Sequence, residues 1–132
     1  MRSAFVRVIA LVHVAAFGLT PGLAAEGQQK EWRAIAASAV ERTFTTAMSA
    51  KKPTEAEAIA DARSACAERN KDCTVVATFD AGCRYVMLGG RPVSPTVLEP
   101  FFLVGTTPED AQARCRTLGL ICTREPQGGC MD

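Results

Sequence analysis

Residues 66–74 read CAERNKDCT, and residues 115–123 read CRTLGLICT. In both stretches a threonine follows the second cysteine, and each stretch is later followed by a Gly-Cys pair, Gly82-Cys83 or Gly129-Cys130. The segments just upstream, ADAR at 60–63 and AQAR at 111–114, are also alike. Self-similarity at a spacing of about 50 residues predicts an internal duplication.

The chain has six cysteines: Cys66, Cys73, Cys83, Cys115, Cys122 and Cys130. An even number of cysteines in a small exported chain predicts a disulfide framework, although sequence alone does not normally choose the pairing. The duplication narrows the choice, because equivalent bonds in the two halves would be Cys66–Cys73 and Cys115–Cys122. Cys83–Cys130 would then remain to tie the halves together.

The first half predicts two strands, a helix and a strand. Residues 32–38 and 42–48 are rich in Thr, Phe, Ile and Trp, which favours a hairpin. Thr54 and Glu57 form a capping-box pattern, in which the glutamate reaches back to the N–H of the cap residue, and a helix should follow to about Arg69. Small and apolar residues at helical spacing predict its core face: Ala56, Ile59, Ala60, Arg63, Cys66 and Ala67. Residues 73–80 should form a strand, with a turn at Ala81-Gly82 leading into its partner.

The second half predicts the same order of elements. Residues 84–88 should be a return strand and residues 101–104 a buried strand, with a loop between them because residues 89–100 hold two glycines and three prolines. Thr107-Pro108 should start a helix that stops at Gly119, with Leu118 facing the core. Residues 120–124 predict a last short strand, and the Gly-rich tail from Pro126 should be held only by Cys130.

These elements predict an α+β fold. We expect a small disulfide-stapled domain with an antiparallel-rich sheet, two helices on one face and pseudo-duplicated strand-strand-helix-strand units. The predicted organisation is a signal peptide at 1–25, a flexible lead-in at 26–31 and a single Cys-rich domain at 32–132. The repeat halves would span about 32–83 and 84–130.

The N-terminal segment has the pattern of a secretory signal peptide. Arg2 and Arg7 precede an apolar run at 8–19, which is shorter than the roughly 20 residues of a membrane span, and small residues follow at Ala24 and Ala25. We therefore expect a periplasmic or secreted protein without stable membrane insertion after cleavage. Cleavage after Ala25 would remove His13, the chain's single histidine.

Composition and spacing argue against several functions. The formal net charge of the whole chain is +1, so no basic stripe suggests a nucleic-acid partner. The close cysteines are too far apart for a typical zinc site or a Cys-x-x-Cys redox motif. Without histidine the usual base for nucleophilic catalysis is missing. We therefore expect no catalytic residues, no metal and no cofactor.

Binding is the function class that remains, with a protein partner in the cell envelope as the expected ligand. The candidate partner-binding loop lies at residues 89–102 and contains Arg91, Val93, Val97 and Leu98 beside a Phe pair. The edge of the Trp32 strand is a second candidate, for binding by strand addition. The alternatives are a structural or stress-tolerance domain without a specific ligand, and a histidine-free enzyme.

The chain also resembles a known family. It has the aromatic residue before an Ala-Ile-Ala strand, Trp32-Arg33-Ala34-Ile35-Ala36, then an Ala-rich helix that ends in Cys66. The run Cys73-Thr74-Val75-Val76 follows, and Cys83 comes next. In these features it resembles the bacterial exported DUF4189 family, a domain of unknown function. The resemblance implies fold and export, and it implies no activity and no functional residue.

Overall fold

A computed structural model describes residues 29–40, 43–122 and 124–132 of the chain. The predicted signal peptide and residues 26–28 of the predicted lead-in lie outside these residues. The elements in chain order are β1 (Arg33–Val40), β2 (Thr43–Met48), α1 (Glu55–Ala67), β3 (Thr74–Phe79), β4 (Cys83–Ser94), β5 (Val97–Gly105), α2 (Pro108–Thr117), β6 (Ile121–Cys122) and β7 (Gln127–Cys130).

The strands form two antiparallel sheets that share one strand order. The first sheet has the order β2-β1-β3, and the second has the order β5-β4-β6, with β7 also paired to β4. In each sheet the first strand of the unit is central, and the strand after the helix pairs with it on the side opposite its hairpin partner. The α+β class and the repeated strand-strand-helix-strand order are thus confirmed, with the strands divided between two sheets.

The domain has four layers, α1, the first sheet, the second sheet and α2, because the central strand of each sheet is buried on both faces. Ala34 and Ala36 of β1 pack with α1, whereas Ile35 faces Val86 of β4 in the apolar layer between the sheets. The next residue of β4, Met87, packs with Ala111 and other residues of α2. A strand covered on both faces reads as a continuous apolar run rather than an alternating one. Each helix therefore covers the outer face of its own sheet, which differs from two helices on one face of a single sheet.

Both helices begin where the sequence predicts. The hydroxyl oxygen of Thr54 accepts a hydrogen bond from the Glu57 amide at 3.2 Å, and that of Thr107 accepts one from the Asp110 amide at 3.0 Å. These caps satisfy amides that have no partner inside the helix. One detail differs, since the Glu57 carboxylate accepts from the Thr54 hydroxyl at 3.0 Å rather than from its backbone N–H.

The buried face of α1 is not the predicted one. The buried residues are Ala58, Ala62 and Cys66, whereas Ala56 and Ala60 are exposed. Alanine occupies both faces of this helix, so the spacing of apolar residues carries little directional signal. The buried side is the one that Cys66 shares with residues four and eight positions before it.

The three disulfide bonds are those that the duplication predicts. Cys66–Cys73 and Cys115–Cys122 each join the end of a helix to the region of the following strand, at a sequence separation of 7. Cys83–Cys130 joins β4 to β7, where the two residues are directly paired, at a separation of 47. This third bond does not tie the halves together, because both of its strands belong to the second sheet.

Two further predictions about strands are wrong. The strands on either side of Ala81-Gly82 do not form a hairpin, because β3 pairs with β1 and β4 pairs with β5. Gly82 has a φ of 69°, and the chain crosses here from one sheet to the other. The tail is also not held by Cys130 alone, since β7 pairs with β4 from Cys83 to Val86 and Met131 is buried between the sheets.

Candidate functional site

Residues 91–100 form an exposed hairpin arm where the sequence predicts a loop. Strands β4 and β5 pair from Tyr85–Gly105 outward to Ser94–Val97, and residues 95 and 96 form the turn. Strand β6 pairs with β4 only at Gly89 and Gly90, so beyond these residues the arm is a two-stranded ribbon. Every residue of the arm is exposed. A ribbon accommodates proline because each strand has one unpaired edge at which a missing N–H breaks no ladder bond.

The structure brings the four predicted contact residues together on this arm. The exposed fractions of Val93, Val97 and Leu98 are 58%, 52% and 46%. Leu98 lies opposite Pro92 in the register and Val97 lies opposite Ser94, so Val97 and Leu98 point to opposite faces. Val93 lies at the irregularity between Pro92 and Ser94. Apolar side chains are therefore presented near the tip on both faces.

Arg91 stands at the base of the arm and is held in place there. Its guanidinium donates to one carboxylate oxygen of Glu99, with Nη2–Oε2 and Nε–Oε2 distances of 2.6 and 3.1 Å. It also lies 4.8 Å from the ring centroid of Phe101. An exposed ion pair of this kind contributes little stability, but together the contacts orient the side chain. Residues 92–98, which lie between the two charges, carry no charge of their own.

The arm is anchored by apolar contacts at its root. The rings of Phe102 and Phe44 stack at a centroid distance of 6.2 Å, and so connect β5 to the first sheet. Leu98 lies over Gly90, where a Cβ atom would come 3.1 Å from its Cδ1. The arm therefore projects from a fixed base.

A groove runs between β5 and α2 beside the root of the arm. Its lining is mostly apolar, with one ion pair: Phe102, Leu103, Val104, Asp110, Ala113, Arg114, Thr117 and Leu118. Leu118, predicted to face the core, is 63% exposed at its rim. Leu118 caps the helix end, and Leu120 instead packs into the core beside Cys115 and Met87.

The second predicted binding element is wrong. The strand that follows Trp32 has no free edge, because β1 is central and pairs with β2 on one side and β3 on the other. Sequence alone did not reveal that β3 crosses back to β1 rather than pairing with the strand that follows it.

A comparison with models of protein families shows which family the chain belongs to. The model described as a domain of unknown function, DUF4189, matches residues 32–125. The chain belongs to the DUF4189 family. The match begins at Trp32 and includes the first sheet, both helices, the arm and strands β4 to β6, whereas β7 lies beyond its end. Neither the search of curated proteins nor the search of solved structures found a match.

The chemistry of this DUF4189 domain is dominated by its disulfides. All six cysteines are bonded, and the described residues contain no group of three or more His, Cys, Asp or Glu side chains placed to hold a metal ion. Within the same residues no helix has the length and apolar character to cross a membrane. Three disulfides are consistent with an oxidising compartment.

Asp110 is the best-connected carboxylate near the groove. It accepts hydrogen bonds from the Thr106 amide at 3.0 Å and from Arg114 Nε at 3.2 Å. The Thr106 bond first, and then Arg114, hold the pKa of Asp110 below its ordinary value of 3.8.

The shift in Asp110 predicts a pH-dependent stability. Because the folded-state pKa is the lower one, the ionised carboxylate stabilises the fold above pH 3.8, and this contribution is lost as the pH falls through the lowered pKa. We expect Asp110→Asn to lower the melting temperature at neutral pH but not well below pH 3.8. Thermal unfolding followed by circular dichroism at both pH values tests this. Asp132→Asn, at the exposed end of the chain, is the control, and an equal effect of the two substitutions would contradict the assignment.

Proposed function

We propose that this DUF4189 protein is an exported binding module that contacts a protein partner of the cell envelope through its arm, residues 91–100. The exposure of Val93, Val97 and Leu98 on a hairpin with a fixed root carries the proposal. Rigid presentation lowers the entropy lost on binding, and apolar residues at the end of a projecting element are suited to enter a cleft. The uncharged tip favours a partner surface that is itself largely apolar.

The proposed export agrees with the disulfides and with the pattern of residues 1–25. Cleavage after Ala25 would release a periplasmic or secreted protein that contains thirteen basic and fourteen acidic residues. The near balance of charge supports a protein partner rather than a nucleic acid. We further propose that the two units arose by duplication, which the shared strand order and the matched disulfides support.

We propose no enzymatic activity for the domain. Residues 26–132 contain no histidine, and all six cysteines are bonded, so the usual bases and thiol nucleophiles are missing from the part that would remain after cleavage. The rival proposal, a structural domain without a ligand, is favoured by the same disulfides. The arm favours the binding proposal, because it places three exposed apolar side chains on one projection.

A photo-crosslinking amino acid at Val97 tests the arm in living cells. We expect one defined adduct at this position and none at the exposed Glu68, which lies at the end of α1 and serves as the matched control. Mass spectrometry of the adduct would identify the partner. Absence of an adduct at Val97 would favour the structural role.

Combined substitution of Val93, Val97 and Leu98 by serine should separate binding from folding. All three side chains are exposed, so the free energy of unfolding should change by less than about 1 kcal/mol. The affinity for the crosslinked partner should fall by at least about tenfold, since the three substitutions together remove the apolar surface that the arm would bury against the partner. Urea unfolding and a direct titration with the purified partner measure the two effects. Unchanged affinity would refute the proposed role of the arm.

A further inference from the structure

Arg33 brings a positive charge to the edge of the apolar layer between the sheets. It is the first residue of β1 and lies on the same face as Ile35, which packs in that layer. Among the described residues its buried Nε atom has no hydrogen-bond partner, and its Nη1 atom donates only to the sulfur of Met48, at 3.7 Å. A thioether sulfur is a weak acceptor, so the described residues satisfy this guanidinium poorly.

Arg84 reaches the same region from the second sheet. It lies on the same face of β4 as Val86, which packs between the sheets. The Cζ atom of Arg84 is 5.6 Å from the ring centroid of Phe79, and Phe79 is directly opposite Arg33 in the pairing of β1 with β3. Directly paired residues of antiparallel strands share a face and have Cβ atoms about 5 Å apart. The two arginines therefore flank one buried ring.

A second set of contacts connects the same two arginines. Met48, which Arg33 contacts, lies over Gly129, where a Cβ atom would come 2.7 Å from the Cε of Met48. Gly129 is in turn directly paired with Arg84, so Met48 lies between the two guanidinium groups. Both arginines are half-buried, and the adjoining residues 80–82 are exposed. The site is therefore open to solvent at this end of the domain.

Positive charge is in excess at this end. Neither Arg33 nor Arg84 forms an ion pair with any of the described residues. Asp80, in the adjoining turn, is bound by Lys30 at an Nζ–Oδ2 distance of 2.8 Å. The hydrogen bond from Lys30, and more weakly the charge of Arg84, hold the pKa of Asp80 below its ordinary value of 3.8. Since this acid is already paired with Lys30, the charges of the two arginines favour a further anion.

We propose that Arg33 and Arg84 form a binding site for a phosphate group at the end of the domain opposite the arm. Guanidinium groups donate pairs of hydrogen bonds to such oxyanions, and a tetrahedral anion presents oxygens to two of them at once. The anion would accept from the buried Nε of Arg33, which has no partner among the described residues. The seven residues of β4 from Arg84 to Arg91 span about 24 Å, so this site is separate from the partner contact proposed above.

NMR of the arginine side chains during titration with inorganic phosphate tests the site. The protein produced from the full chain is titrated at constant ionic strength, with phosphate replacing chloride. The Nε–H signals of Arg33 and Arg84 should shift saturably, with a dissociation constant on the order of 1 mM. The signal of the exposed Arg116, at the end of α2, should not. Shifts that do not saturate, or equal shifts at Arg116, would overturn the proposal.

Substitutions measure what each arginine contributes to the site. Arg33→Gln and Arg84→Gln should each raise the dissociation constant for phosphate by about tenfold or more, because each removes a charged donor. Calorimetric titration measures the constants, and urea unfolding shows that a variant is folded. If one variant fails to fold, the other provides the comparison.

The matched control is Arg116→Gln, which removes the same charge elsewhere. Arg116 follows Cys115, which contacts Gly89, five residues along β4 from Arg84. That separation of about 17 Å exceeds the Debye length of roughly 10 Å at 0.1 M salt, so the constant should change by less than about twofold. Equal effects at Arg116 and at the two site arginines would reject the site, because they would reflect only the overall charge.

Free phosphate and anionic lipid headgroups offer the same chemistry, and cosedimentation with vesicles distinguishes them. A lipid source predicts binding to vesicles that contain phosphatidylglycerol but not to those of phosphatidylcholine alone, and Arg33→Gln should abolish it while Arg116→Gln does not. Phosphate binding without vesicle binding assigns the site to a soluble anion. Absence of both would overturn the proposal. A Val97 adduct that still forms in Arg33→Gln would then leave the proposed function in place.

Discussion

The double substitution Cys83→Ala and Cys130→Ala is expected to lower the free energy of unfolding by about 4 kcal/mol, which is the chain-entropy value for a loop of this length. The bond closes a segment of the chain that contains β5, α2 and β6. Without it, the unfolded chain gains conformational freedom and the native tail loses its covalent link. A loss of this size is a large part of the total stability of a typical domain, about 5–15 kcal/mol.

The structure also indicates that the loss of stability should appear first in β7. Strand β7 has four residues, two of them glycine, and among the described residues it pairs with no strand other than β4. Without the bond it would be held by this ladder, by the buried Met131 and by the hydrogen bond between Thr46 and Gln127. Its amides should lose hydrogen-exchange protection before those of β5. Urea unfolding of the double variant measures the global effect. The reference variant, Cys66→Ala with Cys73→Ala, should leave protection in β7 unchanged. A global loss below about 1 kcal/mol would contradict the expected role of the long loop.

The parts of the fold that sequence predicted well are those with local chemical signals. Threonine at positions 54 and 107 caps each helix through its side chain, and such a cap needs no information from distant residues. The repeated cysteine spacing predicted the pairs because bonds at equivalent positions of the two similar segments are Cys66–Cys73 and Cys115–Cys122. These signals fixed the order of elements, although not which strands meet.

The arm was missed because its prolines were interpreted as breaking a strand. Pro92 lies opposite Leu98 and Pro100 opposite Gly90, both within the antiparallel ladder of β4 and β5. Proline is excluded from a central strand but is compatible with the open edge of a ribbon. Whether β4 has an open edge depends on how far β6 pairs along it. This pairing ends at Gly90 of β4, and it is set by tertiary contacts rather than by the local sequence. The four candidate contact residues lie on this exposed segment.

The division into two sheets also lay beyond local patterns. A short turn with Gly82 favours a hairpin as readily as a crossing between layers. The deciding factor is burial on both faces of β1 and β4, which requires a helix on one side and a second sheet on the other. Since Ala34, Ala36 and Ala37 are small, the apolar run of β1 did not by itself indicate two packed faces.

Gly105 is a position where a single added methyl group should be strongly damaging. It ends β5 and is buried against the first turns of α2. A Cβ atom here would overlap the backbone N of Ala111 and come 2.8 Å from its Cα and 2.9 Å from the carbonyl carbon of Asp110. These atoms belong to a capped helix, in which the Ala111 amide donates to the Thr107 carbonyl at 3.1 Å, so they cannot turn aside as a side chain would.

We therefore expect Gly105→Ala to destabilise the domain by about 3 kcal/mol, because β5 and α2 must separate. The matched control is Gly90→Ala on the neighbouring strand. There the nearest atoms, at 3.1 to 3.5 Å, all belong to the half-exposed side chain of Leu98, which can move, so the cost should be below about 1 kcal/mol. Urea unfolding of both variants measures the difference. If the two alanines proved equally tolerated, the close packing of α2 on β5 would not be what holds the second unit together.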